Sequence, residues 1–443
     1  MRGSTKFIGS ALTAVLPVTL IAFSTGPPLQ RTGAAIDGGI NCTACHRDNA
    51  PANSDTRGSL RLEANDYRPG VKQLIRVILS HSEAQRWGFE LTVRAASDEM
   101  RSAGNLTPSE IIQVRAANSQ EFATYFQSST FLGQRNGNIW EVEWTPPATD
   151  AGEIVIHAAG NAANGNGNNA GDNIYTTSLR IKPAAPCALT GIPRISSVRN
   201  AGSMIDGPLS LNTLVTIAGA GFNAAGFERA AGPADFVDRR YPTEFGCLAV
   251  EVNGVRSPIT NAAASAVGAQ IPTIIDLGTV PVRVIANPGT PGELRSDPFP
   301  VTLSDTSPAF LPIMPSSNIV AVFTGTNFRI GDPASVPDAS PASKGDILSL
   351  SATGLGVTDP VYQAGEIVPA LTPLRDPIAI EWMGRVMDQA DILYAGADPG
   401  SISGRYRIDV RVPAYARSGA QNEIRIRAGN RLSPPNATLF IAE

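Results

Sequence analysis

From Ser59 onward the chain alternates apolar and polar residues with period two, a pattern that suits strands with one buried face and suits helices poorly. Leu74–Leu79 and Phe89–Arg94 read as strands, and Ile154–Ala158 and Ile174–Ile181 add two more. In Trp140-Glu141-Val142-Glu143-Trp144 the aromatic and apolar residues point one way and the glutamates the other. Gly160–Asn168 reads as a turn-forming tract, and only Pro108–Ala117 suggests a short helix. Several short strands separated by turn signals predict β-sandwiches. The 42 glycines and 35 prolines among 443 residues fit a turn-rich globular chain. A net charge of −4 removes the basic footprint of a nucleic-acid-binding protein.

Arg2 and Lys6 precede an apolar run from Phe7 to Phe23, and Ala22-Phe23-Ser24 supplies small residues before a cleavage point after Ser24. Residues 1–24 therefore read as a secretory signal peptide, with an uncleaved anchor as the alternative. No later segment approaches the ~18 apolar residues a membrane span needs. The mature chain is expected to be secreted, periplasmic or at the cell surface. A leader (25–58) and a first sandwich (59–182) come next, then a Pro/Ala linker (183–192) around Pro183-Ala184-Ala185-Pro186. The remainder repeats internally. Leu214–Phe222 matches Ile347–Leu355, and Val250–Gly254 matches the run from Ala379 that turns at Gly384. Ala269–Pro272 matches Val410–Pro413, and Gly278–Val284 matches Ala420–Ile426. Two similar sandwiches, 193–305 and 306–443, account for this repeat.

The leader contains Cys42-Thr43-Ala44-Cys45-His46. Two thiols three positions apart reach the two vinyl groups of a haem, and the adjacent histidine presents an axial iron ligand. This spacing, on an exported chain, predicts covalent haem c on Cys42 and Cys45 with His46 axial. A Cys42–Cys45 disulfide and a metal role are the alternatives, though zinc would lack an obvious fourth ligand. With three histidines in the chain, the candidate distal ligands are His81, placed at a loop after the strand ending at Leu79, then His157 and Met100. His157, inside an apolar strand, reads first as a core or face histidine. Cys187 and Cys247 are expected to form a structural disulfide, contributing on the order of 4 kcal/mol in the chain-entropy model.

Other residues read as structure before chemistry. The Asn/Gly tract with Asp172 offers too few carboxylates for calcium and reads as a turn. Trp87, Trp140 and Trp144 read as core before a sugar-binding surface, and Glu141 and Glu143 as a solvated face before a glycosidase pair. No G-x-S-x-G elbow, H-E-x-x-H helix, Walker loop or dinucleotide fingerprint occurs, and no enzyme is expected.

Two resemblances follow from ordered motifs. Gly33-Ala34, Cys42–His46, Tyr67-Arg68-Pro69-Gly70, Arg86–Thr92, Trp144-Thr145-Pro146-Pro147, Ala159–Gly165 and Gly171–Tyr175 resemble the bacterial exported reeler-like (choice-of-anchor type V) domain. That implies an immunoglobulin-like sandwich without catalytic activity over residues 33–182. Val198–Ser203, Val252-Asn253-Gly254, Lys344-Gly345-Asp346, Ala352–Gly356, Tyr394-Ala395-Gly396, Pro399-Gly400 and Gly404–Pro413 are similar to the C-terminal domain of Acidobacteria-type secreted proteins. That family implies paired IPT/TIG-like immunoglobulin folds. Arg407-Ile408-Asp409 replaces an expected Gln-Val-Asn-like run, and Arg229–Arg240 reads as an insertion. The expected fold class is thus all-β: tandem immunoglobulin-like β-sandwiches, one reeler-like and two TIG-like, after a signal peptide. The leading functional expectation is an exported monohaem c protein for electron transfer or redox sensing, with a redox partner protein. The alternatives are a structural or adhesive surface protein with no cofactor, and a carbohydrate-binding surface protein. No nucleic-acid partner and no membrane span are expected.

Overall fold

The structure, a computed structural model, describes residues 26–46, 51–223, 227–273, 275–314, 317–334, 336–435 and 437–442. The signal peptide expected at 1–24 lies outside the described residues. The chain divides between Ala184 and Ala185 into two compact units. Both are all-β, apart from short 3-10 turns among the described residues. No helix among the described residues is long and apolar enough to cross a membrane.

Among the described residues the first unit is a two-sheet sandwich of ten strands. They are β1 (Gly58–Glu63), β2 (Gln73–His81), β3 (Arg86–Ala95), β4 (Asp98–Ser102), β5 (Asn105–Thr107), β6 (Ile112–Ala117), β7 (Gln120–Tyr125), β8 (Asn136–Thr145), β9 (Ile154–Ala163) and β10 (Asn173–Ile181). One sheet runs β1-β2-β8-β5; the other runs β10-β9-β3-β7-β6, with β4 beside β3. Alternate residues of the longer strands enter a core around Val77, Leu79, Trp87, Phe89, Leu91, Trp140, Val142, Trp144 and Ile156. The tryptophans are core residues, and their indole N–H groups donate to the carbonyls of Gln134, Ser129 and Ala103.

Two local expectations need correction. Pro108–Ala117 is not helical: Ile112–Ala117 is β6, joined to β7 through Asn118 and Ser119, whose φ angles are 52° and 63°. Two successive left-handed residues make the turn that matches strand twist, so the hairpin overrides local helix tolerance. Gly160–Ala163 continue β9, and the turn begins only at Asn164. Gly160 answers packing: a Cβ there would lie 3.1 Å from both Leu79 methyls across the core.

The second unit has two cores, one around Val215, Ile217, Leu248, Val250, Val282 and Val284, the other around Leu348, Leu350, Ile380, Trp382, Ile424 and Ile426. Matched segments of the repeat take matched places. Leu214–Ala220 pairs with Ala266–Gln270 as Ile347–Thr353 pairs with Tyr406–Arg411. Leu248–Val252 pairs with Gly278–Ala286 as Ile378–Trp382 pairs with Ala420–Ala428.

Buried polar groups join the two cores. Gln270 Nε2 donates to Ser403 Oγ (3.1 Å) while its Oε1 accepts Gly365 N–H (2.7 Å). Leu214 N–H donates to Thr353 Oγ1 (2.9 Å), and Asn200 Nδ2 to the Ser307 carbonyl (2.7 Å). The inserted segment also bridges: Ile367 N–H donates to the Arg239 carbonyl (2.8 Å), and Arg240 pairs with Glu366. Cys187 and Cys247 form a disulfide across 60 residues of sequence.

Candidate functional site

In a two-layer sandwich the outward residues of β3, Glu90, Thr92 and Arg94, would face water. Here all three are buried, because the leader lies over that face of β10-β9-β3-β7-β6. Arg94 Nη2 lies 3.4 Å from both oxygens of Asp37, Nη1 donates to the Glu99 carbonyl (2.9 Å) and Nε to Thr92 Oγ1 (2.8 Å). Burial lowers the Arg94 pKa against the pull of Asp37. Glu90 Oε2 accepts the Arg31 N–H (2.5 Å), while its buried Oε1 has no hydrogen-bond partner. Burial raises the Glu90 carboxyl to about 7.

The CxxCH segment is part of this cover. Cys42–Ala44 form one 3-10 turn, capped by Asn41, whose Oδ1 accepts Thr43 N–H (2.9 Å). His46 Nδ1 lies 2.7 Å from Asp172 Oδ2, close enough to pair but off the line of a straight hydrogen bond. Asn161 Nδ2 sits 3.3 Å from His46 Nε2, and Asn169 Nδ2 donates to the Cys45 carbonyl (2.6 Å). Those partners come from β9 and the Asn/Gly tract, a chain of Asx turns in which Asn164, Asn166 and Asn168 each cap the backbone N–H two residues on. The buried Asp172 also accepts Asn164 N–H (3.1 Å) and faces Asn161 (3.4 Å). The tract thus holds the histidine by its carboxylate and amides.

Cys42 and Cys45 are free thiols. Burial, with the charges of Glu90 and Cys45 nearby, pushes the Cys42 thiol up to about 12, so it is a poor nucleophile at neutral pH. Beside them is a cleft walled by Pro27, Pro28, Phe89 and Tyr125, with Arg31 at its edge. The donor chemistry fits haem c in part: both thiols are unpaired and a carboxylate lies beside His46 Nδ1, but the Asn161 amide already faces Nε2 and must turn away before that nitrogen can meet a metal. The room is small, about 40 Å³, enough for a few water molecules, so the leader must yield space to a porphyrin. Among the described residues no three His, Cys, Asp or Glu side chains converge to hold a metal ion directly.

His81, expected at a loop as a distal ligand, is the last residue of β2 and is buried. Its Nδ1 accepts the N–H groups of Glu83 and Ala84 (3.1 Å each), and its Nε2 faces Asp55 Oδ2 (3.4 Å) and Asn173 Nδ2 (3.2 Å). With both ring nitrogens engaged, His81 braces the strand end and offers no lone pair to iron. His157 lies on the covered face of β9, 3.2 Å from Glu99, and burial lowers its pKa. Met100 is 60% exposed on β4. Glu141 and Glu143 face solvent from the other sheet, near Arg76 (3.6 Å) and Lys72 (2.8 Å). Sequence reasoning missed Asp172 and Asn161 as partners of His46, and Glu90 as a buried acid. Only a leader long enough to cover a sheet face hinted at the last.

No family model matches the chain, and no curated protein does. Among solved structures, it is similar to the reeler domain of human F-spondin at 21% identity, covering 29% of this chain and 93% of that one, with a TM-score of 0.21. It is also similar to the seventh ScaB type I cohesin of Pseudobacteroides cellulosolvens at 10% identity, covering 30% and 96%, with a TM-score of 0.22. A putative membrane-anchored protein of Corynebacterium diphtheriae matches at 10% identity over 87% of this chain and 91% of that one, with a TM-score of 0.16. Likenesses this distant add nothing to the sandwich fold that the sheets themselves display.

Proposed function

We propose that this chain is a non-catalytic structural protein of the cell exterior, with a stiff C-terminal unit of two sandwiches. The observation that supports this reading is the buried polar contact set between those sandwiches, from Gln270, Ser403 and Gly365 to Asn200 and Ser307. Domains strung on a flexible tether keep such groups solvated; burying them in mutual hydrogen bonds fixes one arrangement, and each becomes costly to separate. The Cys187–Cys247 disulfide suits an oxidising compartment.

The brace on His46 favours a second reading, an exported haem c protein. In it Cys42 and Cys45 would hold the group by thioether bonds and His46 would ligate its iron through Nε2, with Asp172 orienting the imidazole from Nδ1 and the Asn161 amide turned away from Nε2. Bound haem would supply one-electron chemistry.

Full-length chain made in a host competent in cytochrome maturation tests both readings. The structural reading expects the mass of the bare polypeptide, no Soret band, and one opening free energy for amides of both C-terminal cores in native-state hydrogen exchange. A Soret band with the added haem mass replaces it with the second reading. Two separate opening free energies remove the stiff unit.

A further inference from the structure

On the outward face of the last sandwich, Val322, Ser349 and Asp409 lie side by side across three strands, with Ser351 and Arg407 as the next cross-strand pair. A groove of about 420 Å³ opens over this face, and the turn carrying Thr326 and Asn327 forms one wall. The charges in it are unequally engaged. Arg407 closes on Asp409 through two parallel 2.7 Å hydrogen bonds, and Asp409 also accepts the Ser349 hydroxyl (2.6 Å). Arg405 is anchored at one corner, Nη2 donating to Ser351 Oγ (2.9 Å). Its buried Nε has no hydrogen-bond partner, since Asp398 Oδ2 stands 3.6 Å away. A guanidinium hydrogen-bonded by one arm, ion-paired with Asp398 only at 3.6 Å and 38% exposed is positioned to take a further carboxylate on its exposed side.

We propose that this groove binds a hydroxyl-rich ligand bearing isolated carboxylates, the chemistry of uronic acid units in a polysaccharide, with Arg405 taking one carboxylate. Hydroxyl groups need acceptors as well as donors, and Asp398 and the Asn327 amide offer both beside the arginine. Asp398 disfavours a phosphate or sulfate ester, whose denser charge would face its carboxylate.

Calorimetric titration of the full chain with galacturonate and mannuronate trimers, maltotriose and inorganic phosphate, at ~0.15 M salt, tests this. At least one uronate trimer is expected to bind at least tenfold more tightly than maltotriose, with no heat from phosphate. Arg405→Gln is expected to weaken that binding at least tenfold, with wild-type near-ultraviolet circular dichroism. Failure of both trimers to bind, equal binding of maltotriose, tighter binding of phosphate, or full affinity in folded Arg405→Gln overturns the proposal.

Discussion

β8 and β3, in opposite sheets of the first unit, both alternate core residues with charged ones, yet their outward charges meet different surroundings. Glu141 on β8 is exposed and Glu143 partly so, and they pair with Arg76 (3.6 Å) and Lys72 (2.8 Å). Glu90 and Arg94 on β3 lie under the leader and are fully buried. Water screens the first set, so each charge keeps its solvation whether or not it is paired. The second set has lost that solvation, and its stability depends on partners such as Asp37 and the Arg31 amide. The leader is therefore a third layer over this face of the sandwich, and the CxxCH segment is one of its turns.

The largest expected effect breaks the covered pair. Arg94→Ala leaves Asp37 buried without its cation and should cost about 3–5 kcal/mol in urea unfolding of the first unit. Replacing both residues, Arg94→Leu with Asp37→Leu, should recover most of that loss. A cost below about 1 kcal/mol for Arg94→Ala would mean that solvent reaches this face.

Next comes the pH dependence of Glu90. Burial holds its proton in the folded state up to about pH 7, against an ordinary value of 4.5. The folded chain then binds more protons than the unfolded chain between those values. Stability therefore falls as pH rises from about 4.5 to about 7 and levels off above, by at most about 3 kcal/mol. Glu90→Gln should flatten that fall in unfolding free energy measured across the window, and an unchanged slope would assign the titration elsewhere.

The smallest effect is on the open sheet. Lys72→Ala removes the pair with Glu143 and should change unfolding free energy by less than about 1 kcal/mol, less still at high salt. A loss as large as that of Arg94→Ala would erase the contrast between the two faces.

The contrast also explains what could be read in advance. Strand periodicity located β2, β3 and β8, because burial of one face imposes the alternation. Repeat matching aligned the paired strands of the second unit, since equal topologies demand similar apolar patterns at equivalent places. Pro108–Ala117 misled because a hairpin turn at Asn118 and Ser119, two left-handed residues, outweighs weak local preference. His81 misled because nothing in its neighbourhood announces that two backbone N–H groups close on its ring. At the candidate site the thiols and His46 were visible as a spacing. Asp172, 126 positions away, was visible only as a turn residue.

Local order in this chain, the β-sandwich class, the repeated C-terminal pattern and the CxxCH spacing, follows from residues near one another in sequence, because side-chain alternation and turn chemistry act over a few positions. Which outward face is wet and which is dry, which carboxylate braces His46, and how the last two sandwiches lock together came only with the tertiary structure. Those outcomes depend on desolvation and on contacts between distant segments, and a charged residue carries the same letter whether water or the leader lies above it.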